Sequence, residues 1–481
     1  MAITFDWDSS RRRGIVSGEF FDEIREYFSV KNDGAKFARY RGRFSPSRKY
    51  AITATGRFDV GLYSEISKFI KKYDVTVRRT LKFKENFKST IGRASKISPL
   101  SLKLRKYQKD AVEKCLEYGR GVVVLATAGG KTLAMATLLE SVYTHINDFK
   151  CVVIVPNRSL VTQTYNAFKE YDTSFTTSKW TGDDDLDLGT NVIICNLGIL
   201  QSAKSNVDWL SYVDMCVFDE CHHAKQGNKL NKLLRQINTH CRFGFTGTMP
   251  ENLIDQWNVI GKFGPVIYEK SSYDLRKDKF IADAKVQVLR LEYKNKPQYI
   301  EYAGEILQPA EMYRRELDFL IHSNFRNKIL GTLCNRFDKN ALILVDYIEH
   351  GTILHDFFSK GCIGKECYFI RGEVAVEDRE NVKQLMEEND NIIIVAISKI
   401  FSTGINIKNL HYIVFASGGK AKIKIIQSIG RGLRLHKDKH HLTIFDIGDN
   451  LRYGSKHLAK RITYYQKENI EYGSQTINET A

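Results

Sequence analysis

The sequence predicts an α/β protein in which two tandem parallel-sheet domains follow a small α+β N-terminal domain. Three observations carry that prediction. From about residue 105, short apolar, β-branched runs alternate with longer amphipathic segments, the rhythm of a parallel sheet covered by helices on both faces. The rhythm lapses between about 265 and 330 and then returns, so two such sheets are expected rather than one. The first hundred residues lack it altogether.

In chain order, residues 1–100 combine a helical segment at Glu19–Phe28, basic aromatic-rich stretches around Lys36–Tyr50, a second helix near Tyr63–Tyr73 and a strand near Val75–Phe83. Residues 101–270 offer central strands at Gly121–Ala126, Cys151–Val155, Asn191–Cys195, Met215–Phe218 and Arg242–Phe245. The charged stretch 271–330 reads as a connecting segment and the start of the second sheet domain. Residues 331–455 repeat the pattern at Ala341–Val345, Cys367–Ile370, Ile392–Ala396, Tyr412–Phe415 and Leu442–Asp446. Residues 456–481 read as a polar helix followed by a disordered tail.

Composition narrows the class. A chain of 481 residues with 43% hydrophobic and 27% charged residues and only 7 prolines is globular, neither disordered nor collagen-like, and is too long for a small disulfide scaffold. Its 73 Lys and Arg against 56 Asp and Glu give +17, which suggests a polyanionic partner. Residues 1–100 hold 22 basic and 11 acidic residues, a net +11, leaving 51 and 45, a net +6, for the other 381 positions. That concentration points to nucleic acid rather than a membrane surface. Nine cysteines, odd in number and without C-x-x-C spacing, read as reduced thiols in a cytoplasmic compartment. No run approaches 18 apolar residues, and the N-terminus has no apolar export segment, so no membrane association is expected.

The strongest local signal is VVVLATAGGKTLAMATLLE, Val122–Glu140: an apolar strand, a small-residue loop ending in Gly129-Gly130-Lys131-Thr132, then a helix. Backbone N–H groups at such a helix start face phosphates, the Lys reaches the β and γ groups, and the Thr hydroxyl binds Mg²⁺. Leu125 and Ala128 stand where the strict consensus has Gly. Downstream, MCVFDECHH ends a second apolar run. Asp219 is the candidate metal carboxylate and Glu220 the candidate base for the attacking water; the alternative takes Cys221, His222 and His223 as zinc ligands.

With LRKYQ at Gln108, LATAGGKT, DECH, the TGT of Thr246, Gly247 and Thr248, STGIN at Ser402–Asn406 and QSIGRGLR at Gln427–Arg434, the chain resembles superfamily 2 helicases over residues 100–450. Segments such as FFDEIREYFSVKNDGAKF and GRFDVGLYSEISKFIKKYDVTV resemble the N-terminal module of phage UvsW-type helicases, which are related to RecG-like enzymes, and extend the likeness to nearly the whole chain. The resemblance implies that the two sheet domains are RecA-like motor domains. It also implies an ATP site made of Gln108, Thr127, Ala128, Gly129, Gly130, Lys131, Thr132, Gly404 and Gln427, with Mg²⁺ on Thr132 and Asp219. Catalysis would fall to Lys131, Asp219, Glu220, Arg431 and Arg434.

Arg431 and Arg434, three apart, are expected on one helix face, from which a second domain supplies charge to the transferring phosphoryl group when the cleft closes. Thr246, Gly247 and Thr248 are the expected coupling segment; His222 either joins them or packs as a neutral core histidine. Nucleic-acid contacts are expected at Pro156, Asn157, Arg158 and Gln163, at Arg371, Gly372, Ser402 and Thr403, and in the N-terminal module at Arg39, Arg41, Arg43, Arg48 and Lys49, which alternate with aromatics. Asn406 replaces a common Asp of its motif, and Asp183, Asp184, Asp185 and Asp187 read as a solvated loop. The implied activity is that of an ATP-dependent, monomeric DNA helicase or translocase acting on forks, D-loops and four-way junctions in recombination, repair or replication-fork rescue. An RNA-directed ATPase and a nucleic-acid-binding scaffold with weak ATPase are the alternatives.

Overall fold

A computed structural model of the chain describes residues 1–32, 34–35, 45–87, 96–202, 207–224, 229–299, 307–371, 376–398, 407–419, 422–437, 439 and 441–479. The chain separates into two compact units, one built from residues 1–125 and 130–270, the other from 271–481 together with 126–129.

The first unit opens with strands β1 (Ala2–Asp8), β2 (Arg13–Gly18), β3 (Ser29–Lys31), β4 (Arg48–Tyr50), β5 (Arg57–Phe58) and β6 (Thr76–Arg79), and helices α1 (Phe21–Tyr27), α2 (Tyr63–Ile70) and α3 (Leu81–Asn86). The order β5-β2-β1-β6 forms a mixed sheet, antiparallel between β1 and β2 and parallel between β1 and β6, and β3 pairs with β4. Phe5, Phe58, Ile66, Phe69 and Phe83 fill its core. The strand expected at Val75–Phe83 stops at Arg79. Thr80 turns the chain, its hydroxyl accepting the Phe83 N–H at 3.2 Å, so Phe83 is presented from a helix.

A seven-stranded sheet follows. It is built from β7 (Gly121–Leu125), β8 (Cys151–Val155), β9 (Thr177–Trp180), β10 (Val192–Asn196), β11 (Met215–Asp219), β12 (Cys241–Thr246) and β13 (Val266–Lys270) in the order β13-β7-β12-β11-β8-β10-β9, every pair parallel. Helices α4 (Lys106–Tyr118), α5 (Lys131–Tyr143), α6 (Arg158–Glu170), α7 (Lys229–Leu234) and α8 (Leu253–Phe263) belong to the same layer system. All residues of β7, β8, β10 and β11 are buried, as strands covered on both faces must be.

The N-terminal module is packed against this sheet domain. Gly61 meets α8 so closely that a Cβ there would lie 2.2 Å from the Ile260 carbonyl oxygen. Trp257 and Ile260 join the module's core, with the Phe28 and Trp257 rings 5.2 Å apart. Asp59 accepts from Lys262 at 2.5 Å and lies 3.3 Å from Arg13 and 3.4 Å from Arg235.

The second unit contains β14 (Asp283–Glu292), β15 (Ala341–Val345), β16 (Glu366–Ile370), β17 (Ile392–Ile397), β18 (Tyr412–Phe415), β19 (His441–Asp449) and β20 (Glu471–Asn478), again all parallel, in the order β16-β17-β15-β18-β19-β14-β20. Its helices include α9 (Pro309–His322), α10 (Asn324–Asn335), α11 (Ile348–Gly361), α12 (Lys422–Gly432) and α13 (Gly454–Lys467). The stretch read as a connecting segment and the start of the second sheet domain supplies β14, an inner strand of alternating burial. One expectation is corrected. The polar tail forms β20, an edge strand with mostly exposed side chains that is held to β14 by its backbone. Two buried ion pairs tie this unit together: Arg326 to Asp449 at 3.0 Å and Arg461 to Asp446 at 2.8 Å.

Candidate nucleotide and nucleic-acid site

The phosphate loop lies where β7 meets α5, at the carboxyl end of the first sheet. Its backbone is wound through the left-handed region at Ala128 (φ 65°) and Gly130 (φ 75°), a path that brings N–H groups to the start of α5. Ala128 thus occupies a conformation that glycine takes more cheaply. At Gly130 a side chain is excluded for a second reason: a Cβ would stand 2.2 Å from Nε2 of Gln108. Gln108 is buried, and its Oε1 accepts the Arg105 N–H at 2.9 Å, so the predicted adenine-reading glutamine is fixed beside the loop.

β11, two strands over from β7, ends on Asp219, which is 7% exposed. Burial and then the Glu220 charge raise its carboxyl to about 6, against the pull of Lys131. Glu220 itself sits at φ 55°, a strained geometry for a non-glycine residue, and its N–H is held by Asp219 at 3.0 Å. Its two oxygens face different partners. Oε1 lies 3.4 Å from Lys131 Nζ, while Oε2 lies 3.2 Å from His222 Nδ1 and accepts from the Thr246 hydroxyl at 3.4 Å. Thr246, fully buried at the end of β12, is also 2.9 Å from His222 Nδ1 and reaches the Thr248 carbonyl at 3.0 Å. Lys131, Glu220, His222, Thr246 and Thr248 therefore form one connected polar chain from the phosphate loop to the TGT segment.

The His222 ring is buried, and its Nδ1 faces both Glu220 and Thr246. Cys221 is buried, and burial pushes its thiol up. Among the described residues no group of three His, Cys, Asp or Glu side chains is positioned to hold a metal by itself. A Mg²⁺ ion takes only one or two protein ligands and completes its shell with phosphate oxygens and water, and a buried carboxylate whose charge is disfavoured, as at Asp219, suits that role.

The expected nucleic-acid contacts are partly described. Asn157 caps α6, its Oδ1 accepting the Leu160 N–H at 3.0 Å. Arg158 and Gln163 are exposed, with Arg158 2.9 Å from Asp183, so the acidic loop supplies it with a counter-charge. Arg371 is exposed just beyond β16. Arg48 is engaged by Glu26 at 2.8 Å and Ser29 at 2.7 Å, whereas Lys49 is exposed. Arg39, Arg41, Arg43, Gly372, Ser402, Thr403 and Gly404 lie outside the described residues. Lys71, Lys72, Arg78, Lys82 and Lys84 are also exposed around β6 and α3 and contribute to the positive charge of residues 1–100.

In the second unit Gln427 is buried on α12, and Arg431 belongs to that helix. Arg434 does not: α12 ends at Gly432, so the two arginines do not share a helix face. Glycines at 430 and 432 weaken the last turn, and the chain leaves the helix to place Leu433, whose carbonyl accepts the Ala282 N–H at 2.7 Å.

The fold, the phosphate loop and the linked acidic segment define a two-sheet nucleotide-driven motor of the helicase class. Residues 101–251 match the family "Type III restriction enzyme, res subunit", and residues 325–436 match "Helicase conserved C-terminal domain". The chain is 29% identical to the ATP-dependent DNA helicase uvsW of Enterobacteria phage T4 over 95% of this chain and 96% of that one. It is 24% identical to the DNA 3'-5' translocase XPB2 of Sulfurisphaera tokodaii over 71% and 81% of the two chains. The S. cerevisiae Dbp5 structure bound to RNA and ADP BeF3 shares the fold, with a TM-score of 0.54 and 15% identity over 78% of this chain and 90% of that one. The chain is thus similar to superfamily 2 helicases, and to the UvsW type among them. No helix among the described residues is long and apolar enough to cross a membrane.

Proposed function

We propose that the chain is an ATP-dependent DNA helicase or translocase that unwinds or branch-migrates forked, D-loop and four-way-junction DNA, in recombination, repair or replication-fork rescue. The observation that carries the reading is the polar chain from Lys131 through Glu220 and His222 to Thr246 and Thr248. A phosphate loop alone would serve any nucleotide-binding protein. A carboxylate shared between the loop lysine and a buried threonine relay is suited to reporting the state of the nucleotide to another part of the domain.

In this reading Lys131 and the loop N–H groups hold the β and γ phosphates, Gln108 reads the adenine, and Thr132 and Asp219 hold Mg²⁺, which neutralises charge on the phosphates when bound. Asp219 meets that role because its buried carboxylate is disfavoured by Glu220 and gains from a cation. Glu220 takes a proton from the attacking water, and Arg431 and Arg434 stabilise charge on the transferring phosphoryl group. Exposed Arg158, Gln163 and Arg371 contact the DNA backbone, and Lys49, Lys71, Lys72, Arg78, Lys82 and Lys84 add N-terminal contacts. The motor needs one copy of the chain, and unpaired thiols at all nine cysteines suit a reducing cytoplasm.

ATPase stimulation by forked DNA, single-stranded DNA and structured RNA of equal length tests this assignment, read beside strand displacement on the fork. Forked DNA is expected to stimulate most and to be unwound only with ATP. Equal or greater stimulation by RNA would replace this reading with an RNA-directed one.

A further inference from the structure

At the opposite end of the first sheet from Lys131 and Asp219 lies a cavity that the motor chemistry does not use. It sits at the amino ends of β7 and β12, where the N-terminal module meets the sheet domain, and about 30 Å³ of it is open to water centres. That exceeds the ~10–15 Å³ one water requires and is far too small for a whole nucleotide. Arg12, Arg120, Arg235, Arg242 and Lys262 line it, and Asp59 is the one carboxylate among its lining residues. Five cations against one anion leave four positive charges uncompensated.

Two of these charges are withdrawn from water, whereas Arg12 is exposed and Arg235 only partly buried. Arg120 is 8% exposed and Lys262 2%. Burial, with Arg242 beside it, pushes Arg120 down to about 9, and Lys262 is pushed down to about 8 by burial despite Asp59. Carbonyl groups take part of the load. Arg120 donates to the Phe263 and Lys262 carbonyls at the end of α8, and Arg242 donates to Leu234, Ile237 and Thr239. A whole helix end contributes only about half a negative charge, so these carbonyls do not balance the excess. Donors also remain for a ligand: Arg12 engages Gln236 through Nη1, Arg235 engages Asp59 through Nε, and Arg120 uses Nε and Nη2. The fork geometry of these side chains matches phosphate.

We propose that this cavity binds a phosphate group, held by Arg12, Arg120 and Arg235 at the seam between the N-terminal module and the first sheet domain. The phosphate is either free inorganic phosphate or one unit of a DNA backbone. In both cases its occupation joins the two parts more firmly, because Arg12 comes from the module while Arg120 and Arg235 come from the sheet domain.

Equilibrium dialysis of radiolabelled inorganic phosphate against the full chain tests the site. The chain carries Lys131→Ala to weaken the competing nucleotide loop. Saturable binding of about one phosphate per chain is expected. Adding Arg12→Gln and Arg235→Gln should weaken it about tenfold or more, the weight of a charge-assisted hydrogen bond, with circular dichroism establishing that the fold is kept. Duplex DNA binding across a salt series identifies the source. A salt slope reduced by about 1 in the arginine variant assigns the site to a backbone phosphate. An unchanged slope beside lost phosphate binding assigns it to the free ion. If neither phosphate binding nor the DNA salt slope responds to the two arginine substitutions, the proposal is overturned.

Discussion

Glu220 is the side chain on which the nucleotide site turns, since one oxygen faces Lys131 and the other faces His222 and Thr246. Glu220→Gln keeps the shape but removes the base, so ATP binding should persist while hydrolysis falls by about 10²-fold or more. Filter binding of labelled ATP beside a steady-state ATPase assay checks this, and parallel loss of both would remove Glu220 from the role of base. A second titratable side chain governs stability. His350 is buried with its Nε2 3.5 Å from Arg326 Nη1, and burial followed by the Arg326 charge pushes it down to about 3. Because its folded value lies below the ordinary 6.5, the unfolded chain binds more protons between those limits. Stability is therefore full above about pH 6.5 and falls as the pH drops. Lowering the pH from 7 to 5 should cost the second unit about 2 kcal/mol through this group. Denaturant midpoints at the two pH values should show that loss, and His350→Gln should flatten it; an equal loss in the variant would assign the acid limb to other groups.

Among the elements, those buried on both faces were the most legible in the sequence. Cys151–Val155, Ala341–Val345 and Tyr412–Phe415 are strands at the bounds their unbroken apolar runs suggested. Elements held by other forces were not legible. β20 is kept by backbone pairing with Ile477 packed on the core, α3 by the Thr80 cap, and Arg434 lies beyond the helix, which ends at Gly432. The Asp59 cluster was invisible for a further reason: Arg13, Asp59, Arg235 and Lys262 are far apart in sequence and follow no period. Yet it fixes how the N-terminal module sits. Asp59→Ala would leave Lys262, 2% exposed, without its carboxylate, a loss of about 3–5 kcal/mol. The module should then become the first site of limited proteolysis while the Lys131 site keeps its ATP affinity. A digestion pattern unchanged from the native chain would mean that the apolar contacts of Trp257 and Ile260 hold the module unaided.

For the molecule as a whole, the charge of +17 divides into a net +11 on residues 1–100 and +6 on the rest. The basic module is fastened to the sheet domain that carries the nucleotide site, so the two can act as one body. Buried ionic contacts and the close approach at Gly61 make the module part of the first unit rather than a loosely tethered bead. The central claim is that ATP turnover at Lys131 drives DNA strand separation. Its most direct test is single-turnover unwinding of a labelled fork by the native chain and by Lys131→Ala, each shown to bind the fork equally. The account predicts ATP-dependent displacement by the native chain and none above background by the variant, with fork affinity unchanged. Displacement by Lys131→Ala at the native rate, or displacement by the native chain without ATP, would contradict it.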